Sequence, residues 1–443
     1  MNNLNLRKIM EEKEINTYNI WHPFSNLQKN YFNQLVINEG EGIYVYDNNK
    51  KCYIDACSGL WNMSLGYNNT RINNYIKKQL DKLPFCSLFE HTNSTVVLAA
   101  NKILDLLPRY MNKLMFTCSG SESNDLAIKC IREYWHILGQ PNKNTIISFN
   151  KSYHGTYYGS MSISGITQRE NKGYNPLLSQ IVMKEVPSDL YSNEDNKVYM
   201  QKLVSYIEEY HHQIAGIIIE PILTSSGMEI VPCEYINEIN ELCQKYNILV
   251  ATDEVALGFY RTGKAFYFYN TQLKPDLVCM AKGINAGYLP LGAVAFSDKV
   301  IEVYKNNKSF LSHGSTQAGN LLACSAVIGA LEEYKEQNIQ RNVENVSTYL
   351  LKQLKEKLVY HSNVKSVRGV GLLISIDLVN ASDHDKTLEE VRIAHIQNVL
   401  AEEGLLVYRS MIGLLLFPIL TITIEEADKI TKIIENVFHN YIF

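Results

Sequence analysis

Through the middle of the chain, short apolar runs alternate with longer stretches in which apolar positions recur every three or four residues. The runs "KLMFTCSGS", "NTIISFN", "IAGIIIEP", "NILVATDEV", "KPDLVCMAK" and "LGAVAFS" predict buried strands. Between several of them, "SESNDLAIKCIREYWHIL" and "CEYINEINELCQKY" predict amphipathic helices. This alternation points to an α/β fold with an open, mostly parallel sheet covered on both faces, and with its chemistry where the strands stop. From about residue 335 the pattern changes to long helices, then "VRGVGLLISIDL", a helix, "GLLVYR", "GLLLFPIL" and a final helix near "TIEEADKI". That order predicts a smaller α+β domain over 335–443 behind a large domain over 61–334. The strand-like pair "GIYVYD" and "KCYIDA" predicts that segment 1–60 packs with the small domain.

Composition narrows the function classes. A chain of 443 residues, 46% hydrophobic and 20% charged, can bury a large core and form two domains. A net charge of -4 with no basic block argues against nucleic-acid binding. No Cys/His spacing suits zinc, so no metal is expected. The polar opening "MNNLNLRKIMEEKEIN" and the lack of a long apolar run predict a protein of the cytoplasm with no membrane contact. Nine cysteines, an odd number without a C-x-x-C pair, read as reduced thiols in core segments.

The candidate chemistry begins in "LVCMAKGINAGYLPLGAVAF", residues 277 to 296, where an apolar run ends in Lys282. An amine at such a place either reaches out to water or works desolvated, with a lowered pKa, as a nucleophile toward an aldehyde. "ILVATDEVALGF" ends a second apolar run in Asp253, with Val255 on the same face of an extended chain and Glu254 on the other. An acid and an apolar side chain together can hold an aromatic cation, although a helix cap uses the same aspartate. "FTCSGSESNDLAIK" places Ser119, Gly120 and Ser121 between strand and helix, where backbone N–H groups suit a phosphate and also an ordinary capped turn. "NKSYHGTYYGS" offers Tyr153 and His154, which can stack on a planar ligand or close the core. "LSHGSTQAGN" offers Gly314, Ser315 and Thr316 before another helix. An amine, an acid for a ring nitrogen, a stacking aromatic and phosphate donors are together the parts that pyridoxal 5'-phosphate requires.

From about "WHPFSNL" at residue 21 to the C-terminus the chain resembles the class III aminotransferases, a pyridoxal-phosphate family of fold-type I. The likeness is carried most specifically by "TDEVALGFYRTGK" and "AKGINAGYLPLGAV" at their separation. The resemblance implies that Lys282 is the Schiff-base lysine, that Asp253 pairs with the pyridine nitrogen, and that Val255 lies beneath the ring. It implies a phosphate turn at Ser119, Gly120 and Ser121, a stacking Tyr153, and a structural acid at Glu220 of "EP". Thr316 matches a phosphate contact made to the neighbouring subunit, so a homodimer with shared sites is implied, and Ser315 beside it is a further cofactor-binding candidate. Trp61 in "SGLWNMSLG" is similar to a substrate-pocket aromatic, with Tyr153, Gly314 and Arg409 as further substrate candidates. The implied reaction moves an amino group from a small-molecule donor, such as glutamate or another amino acid, to a carbonyl acceptor in two ping-pong half-reactions.

Three positions depart from relatives. The glutamate that ornithine-type members carry five residues after the acid of "EP" is Ser225 here, and the usual "PP" near the C-terminus is "FPIL". The arginine found four residues after a glycine in several relatives is Tyr408, counted from Gly404, with Arg409 one step on. A one-residue shift reverses the facing of a strand, so Arg409 serves as a carboxylate clamp only if the chain bulges. The acceptor therefore stays open among omega-amine, biotin-precursor and amino-sugar types. A decarboxylase or aminomutase on the same fold is the alternative enzyme. A catalytically silent scaffold is disfavoured by retention of Lys282, Asp253 and Thr316 together, and "GVG" at 369 to 371 lacks the third glycine and following helix of a nucleotide site.

Overall fold

The computed structural model describes residues 20–25, 35–167 and 171–440; the polar opening read above lies outside them. At its centre is a seven-stranded sheet in the order Met111–Thr117, Gly292–Ser297, Leu277–Met280, Leu249–Asp253, Ile214–Ile219, Thr145–Phe149, Ile181–Lys184. Gly292–Ser297 runs antiparallel to both neighbours, and the other six strands are parallel to one another. Successive residues serve opposite faces: Ile146, Ile218, Leu249 and Ala251 join one core, while Ile147, Ile217, Ile219 and Val250 join the other. Both faces are covered, so these strands read as unbroken apolar runs rather than as alternating ones. The helix Gly120–Ile137 packs its Leu126, Ile131 and Trp135 on the first face, and Cys233–Lys245 lays Ile236 and Ile239 on the second. All six strands expected from the sequence are present; the edge strand Ile181–Lys184, half-buried along its length, gave too little apolar signal to be read.

The C-terminal region holds a five-stranded sheet built on the hairpin Val364–Val370 and Leu373–Asn380. Gly371, at φ +58, makes the turn of that hairpin, which is the structural use of "GVG". "GLLVYR" does not form one strand. Leu405–Leu406 pairs in parallel with Cys52–Asp55, and Tyr408–Arg409 pairs with Gly413–Leu416, so one stretch joins two sheets. The expected pair Tyr44–Asp47 and Cys52–Asp55 is thereby tied to the C-terminal chain. All nine cysteines are free, but Cys52 is exposed and Cys86, Cys118 and Cys233 are only partly covered, so not all are core residues. Among the described residues no helix is long and apolar enough to cross a membrane.

Arg368 fastens the C-terminal sheet to the loops around the central sheet. Its guanidinium donates to Asp377 at 2.6 and 3.0 Å, to Asp189 at 3.0 Å, and to the carbonyls of Met228 and Gly227 at 2.7 and 2.8 Å. The side chains of Arg368 and Asp377 are largely buried, at 13% and 6% exposure. Removing the cation leaves Asp377 buried without its charge partner, so Arg368→Ala is expected to lose about 3–5 kcal/mol of stability. Arg368→Lys should recover only a minor part, because an ammonium cannot span the forked contacts. Urea denaturation of the three proteins measures this; a loss below about 1 kcal/mol in the alanine variant would rule out the fastening role.

Candidate active site

Five parallel strands end at one edge of the sheet, and each delivers a polar group there. Met111–Thr117 leads into Ser119 and Gly120, Thr145–Phe149 into Tyr153 and His154, and Ile214–Ile219 into Glu220. Leu249–Asp253 ends in Asp253 itself, and Leu277–Met280 is followed by Lys282. Lys282 opens a 3-10 turn with φ +46, a left-handed conformation costly for a lysine and typical of functional positions.

Asp253 is buried and held by three donors. His154 Nδ1 lies 2.7 Å and Asn124 Nδ2 2.8 Å from Oδ2, and the Val255 N–H lies 3.0 Å from Oδ1. Facing a carboxylate oxygen, His154 Nδ1 must carry its proton. Burial pushes the Asp253 carboxyl up, but His154 and the two N–H donors outweigh it, so its pKa falls below the usual 3.8. Glu254 points the other way, as alternation requires, and accepts the N–H groups of Tyr267 and Phe268, both at 2.9 Å. Its role is structural.

The helix start at Gly120 forms a cup. Ser119 caps it by accepting the Glu122 N–H at 3.1 Å, and the Glu122 carboxylate receives the Cys118 N–H at 2.8 Å. The N–H groups of Gly120 and Ser121 meet no acceptor among the described residues. Gly120 is required by packing, since a Cβ there would stand 2.8 Å from Val255 Cγ1. Gly155, at φ +121, closes the other side, where a Cβ would overlap Ser121 Oγ at 2.2 Å. Free amides at a helix N-terminus beside a serine hydroxyl are an anion site.

Lys282 Nζ makes no hydrogen bond or ion pair among the described residues, and lies 5.0 Å from the centroid of the Trp61 ring. Burial lowers its pKa from the usual 10.5, with Asp253 and Glu220 opposing. Trp61 stacks on Phe417 at 4.4 Å and meets Tyr408 edge-on at 5.0 Å. The Tyr153 hydroxyl is pushed up by burial first, and then by Tyr408, Asp253 and Glu220. Glu220 accepts the Tyr153 N–H at 3.3 Å and two groups of Thr224, and so braces the loop that carries Tyr153.

Not every expected residue arrives. Arg409 lies in a regular, unbulged pairing and forms an ion pair with Glu390 at 3.4 Å, on the side away from Trp61. The structure therefore does not bring it into the site as a clamp. Ser315 Oγ lies 3.0 Å from Cys118 Sγ beside the cup, Gly314 packs near Phe89, and Thr316 is exposed. Ser225 is half-buried. Asn124 escaped sequence reasoning, and His154 was weighed only as an aromatic. The available signal was a fully buried Asn124 position on the helix face otherwise made of Ala127, Ile128 and Ile131.

Comparison with known proteins agrees with this geometry. Residues 25–438 match the family described as Aminotransferase class-III, and the chain belongs to it. It is 32% identical over 435 residues to the adenosylmethionine-8-amino-7-oxononanoate aminotransferase of Staphylococcus aureus, covering 95% of this chain and 96% of that one. It is 33% identical to the vanillin aminotransferase of Capsicum annuum, over 93% and 92% of the two chains. An amine transaminase structure from an uncultivated Pseudomonas species in a PLP-bound form superposes with a TM-score of 0.90 at 29% identity, covering 95% and 98%. The fold is that of the fold-type I transferases, the cofactor is pyridoxal 5'-phosphate, and the protein is an aminotransferase. The decarboxylase, aminomutase and scaffold readings gain nothing from these relatives. The residues fit the cofactor: free amides for a phosphate, an ionised acid, and an amine without a partner.

Glu220 yields a pH test. Burial first, then Asp253, raises its carboxyl to about 7 from the ordinary 4.5. A raised folded-state pKa stabilises the fold fully below about 4.5, and that contribution fades as pH rises and is gone above about 7. Relative to Glu220→Gln, the wild type is expected to lose roughly 3 kcal/mol between about pH 5 and about pH 8. Denaturation midpoints at the two pH values measure it; a difference that stays flat or grows with pH would show Glu220 ionised in the fold.

Proposed function

We propose that Lys282 is the catalytic amine and Asp253 the partner of the cofactor's ring nitrogen. The observation that carries this is the pairing of a desolvated, unpartnered lysine with an aspartate held ionised by three donors at the same strand ends. When bound, pyridoxal phosphate supplies an electron sink for the pair left when a proton leaves the substrate Cα. Lys282 Nζ, its pKa lowered by burial, would carry the proton from the substrate Cα to the cofactor carbon that bears the nitrogen in one half-reaction, and from that carbon to the acceptor carbon in the other. With the cofactor bound, Asp253 would keep the ring nitrogen protonated, Val255 and Tyr153 would bound the ring, and Ser119, Gly120 and Ser121 would receive the phosphate.

The working unit is a homodimer in which Thr316 reaches the neighbour's phosphate. Support comes from exposed aromatics by that loop: Phe89, which packs near Gly314, is 70% exposed, and Phe310, four residues before Gly314, is 80% exposed. Nine free thiols support a reducing compartment, the cytoplasm. The amino donor and the carbonyl acceptor alternate in this one site.

The purified protein is expected to be yellow and to sediment as a dimer. Borohydride reduction followed by peptide mapping should fix the pyridoxyl group on Lys282, and Lys282→Ala should lose the label while its circular dichroism is unchanged. A label on another lysine would overturn the assignment.

A further inference from the structure

The helix Gly120–Ile137, which carries the cup, also holds a distant loop. Glu122, Asp125 and Lys129 follow one another at i, i+3 and i+7 on one of its faces. Against that face lies His313, in the loop between the helices Asp298–Asn306 and Leu321–Glu336. His313 Nε2 lies 3.4 Å from Glu122 Oε1, and both side chains are 11% exposed. The Lys129 ammonium lies 3.4 Å from His313 Nδ1 and donates to the Ser312 carbonyl. An ammonium has only donors, so Nδ1 accepts and the ring proton sits on Nε2, facing the carboxylate. Burial first and Lys129 second hold the ring's pKa below the usual 6.5, against Glu122 and Asp125. A neutral imidazole therefore bridges a cation and an anion on the cup helix.

Glu122 reaches both ways. Its Oε2 accepts the Cys118 N–H at 2.8 Å, which fixes the turn leading into the cup, while Oε1 faces the loop. Cys118 Sγ lies 3.0 Å from Ser315 Oγ, a second contact between turn and loop. Thr316 follows, exposed, three residues after His313. The tip of the loop thus takes its position from the helix through His313, and the cup keeps its own bonds from Ser119 and Glu122 whether or not the loop is held.

We infer that His313 is a positioning residue that acts on the neighbour's site. Clamped between Glu122 and Lys129, it holds the loop so that Thr316 completes the phosphate site of the other subunit. The inference rests on the homodimer with shared sites and on Lys282 as the amine that holds the cofactor. Its distinguishing consequence is direction: loss of His313 loosens the cofactor across the interface, on a chain that carries no change.

Mixed dimers of the cofactor-loaded enzyme, isolated with two affinity tags, test it, because Lys282→Ala confines the borohydride-fixed label to one chain. In the first dimer a chain with both Lys282→Ala and His313→Ala is paired with an unaltered chain, so the labelled site has its own cup intact and a damaged loop opposite. In the second, a Lys282→Ala chain is paired with a His313→Ala chain, so the labelled site is served by an intact loop. Both are diluted into cofactor-free buffer, and the label remaining at intervals is read by mass spectrometry. Relative to Lys282→Ala paired with an unaltered chain, the first dimer is expected to lose label about tenfold faster and the second to stay within about threefold. His313→Gln, which keeps a donor for Glu122, should recover most of the retention. Lys129→Met, at an exposed position, should loosen the loop from the helix side and repeat the effect if the alanine chain does not fold. Equal loss from both dimers, or faster loss from the second, would overturn the inference. Thr316→Ala in the same two arrangements tells the failures apart. Fast loss from the first dimer with Thr316→Ala but not with His313→Ala refutes only the role of His313; slow loss with both refutes the shared site beneath it. Absence of label from Lys282 in the unaltered dimer refutes the amine assignment.

Discussion

A buried carboxylate keeps its charge only when donors surround it, and the way Asp253 meets that requirement organises the site. Its three donors come from three places: Asn124 from the helix after the first strand, His154 from the loop after the second, and the Val255 N–H from its own chain. The helix that supplies Asn124 also supplies the anion cup at Gly120, one turn earlier. Val255 in turn presses on Gly120. One acid therefore sets the distance between the cup and the ring position, and displacing any donor moves both. Asn124 Nδ2 also reaches the His154 carbonyl at 2.9 Å, which closes the loop of contacts.

Lys282 depends on the same framework. Ser123 Oγ, on the cup helix, donates to the Met280 carbonyl at 3.2 Å and so fixes the end of the strand from which Lys282 departs. Glu220, buried and with its carboxyl raised to about 7, braces the Tyr153 loop. Ser58, Trp61 and Lys282, all left-handed, lie nearby, while the doubly covered sheet holds the strand ends.

The sheet was legible because burial on both faces makes each strand a contiguous apolar run, and Lys282 and Asp253 stood out because each ends such a run. Gly120 and Val255 were legible as types, and their contact explains why glycine is needed. Asn124 and His154 were not, because a polar side chain on an apolar face declares itself only when its partner is known. Ile181–Lys184 escaped for lack of a buried face. "GLLVYR" was read as one strand because no local pattern marks the point at which Val407, buried between the two pairings, passes the chain from one sheet to another. Arg409 was placed conditionally, and the regular register removed the bulge on which its role depended.

The central claim is that an ionised Asp253 paired with the cofactor's ring nitrogen promotes proton loss at the substrate Cα. Exchange of the Cα hydrogen of a bound amine with deuterated solvent, followed by mass spectrometry, measures that step without requiring a second substrate. Asp253→Asn, which preserves shape but not charge, is expected to slow exchange by about a hundredfold or more while the protein stays folded and Lys282 still takes the borohydride label. Exchange within about threefold of wild type would contradict the account and reduce Asp253 to a structural cap.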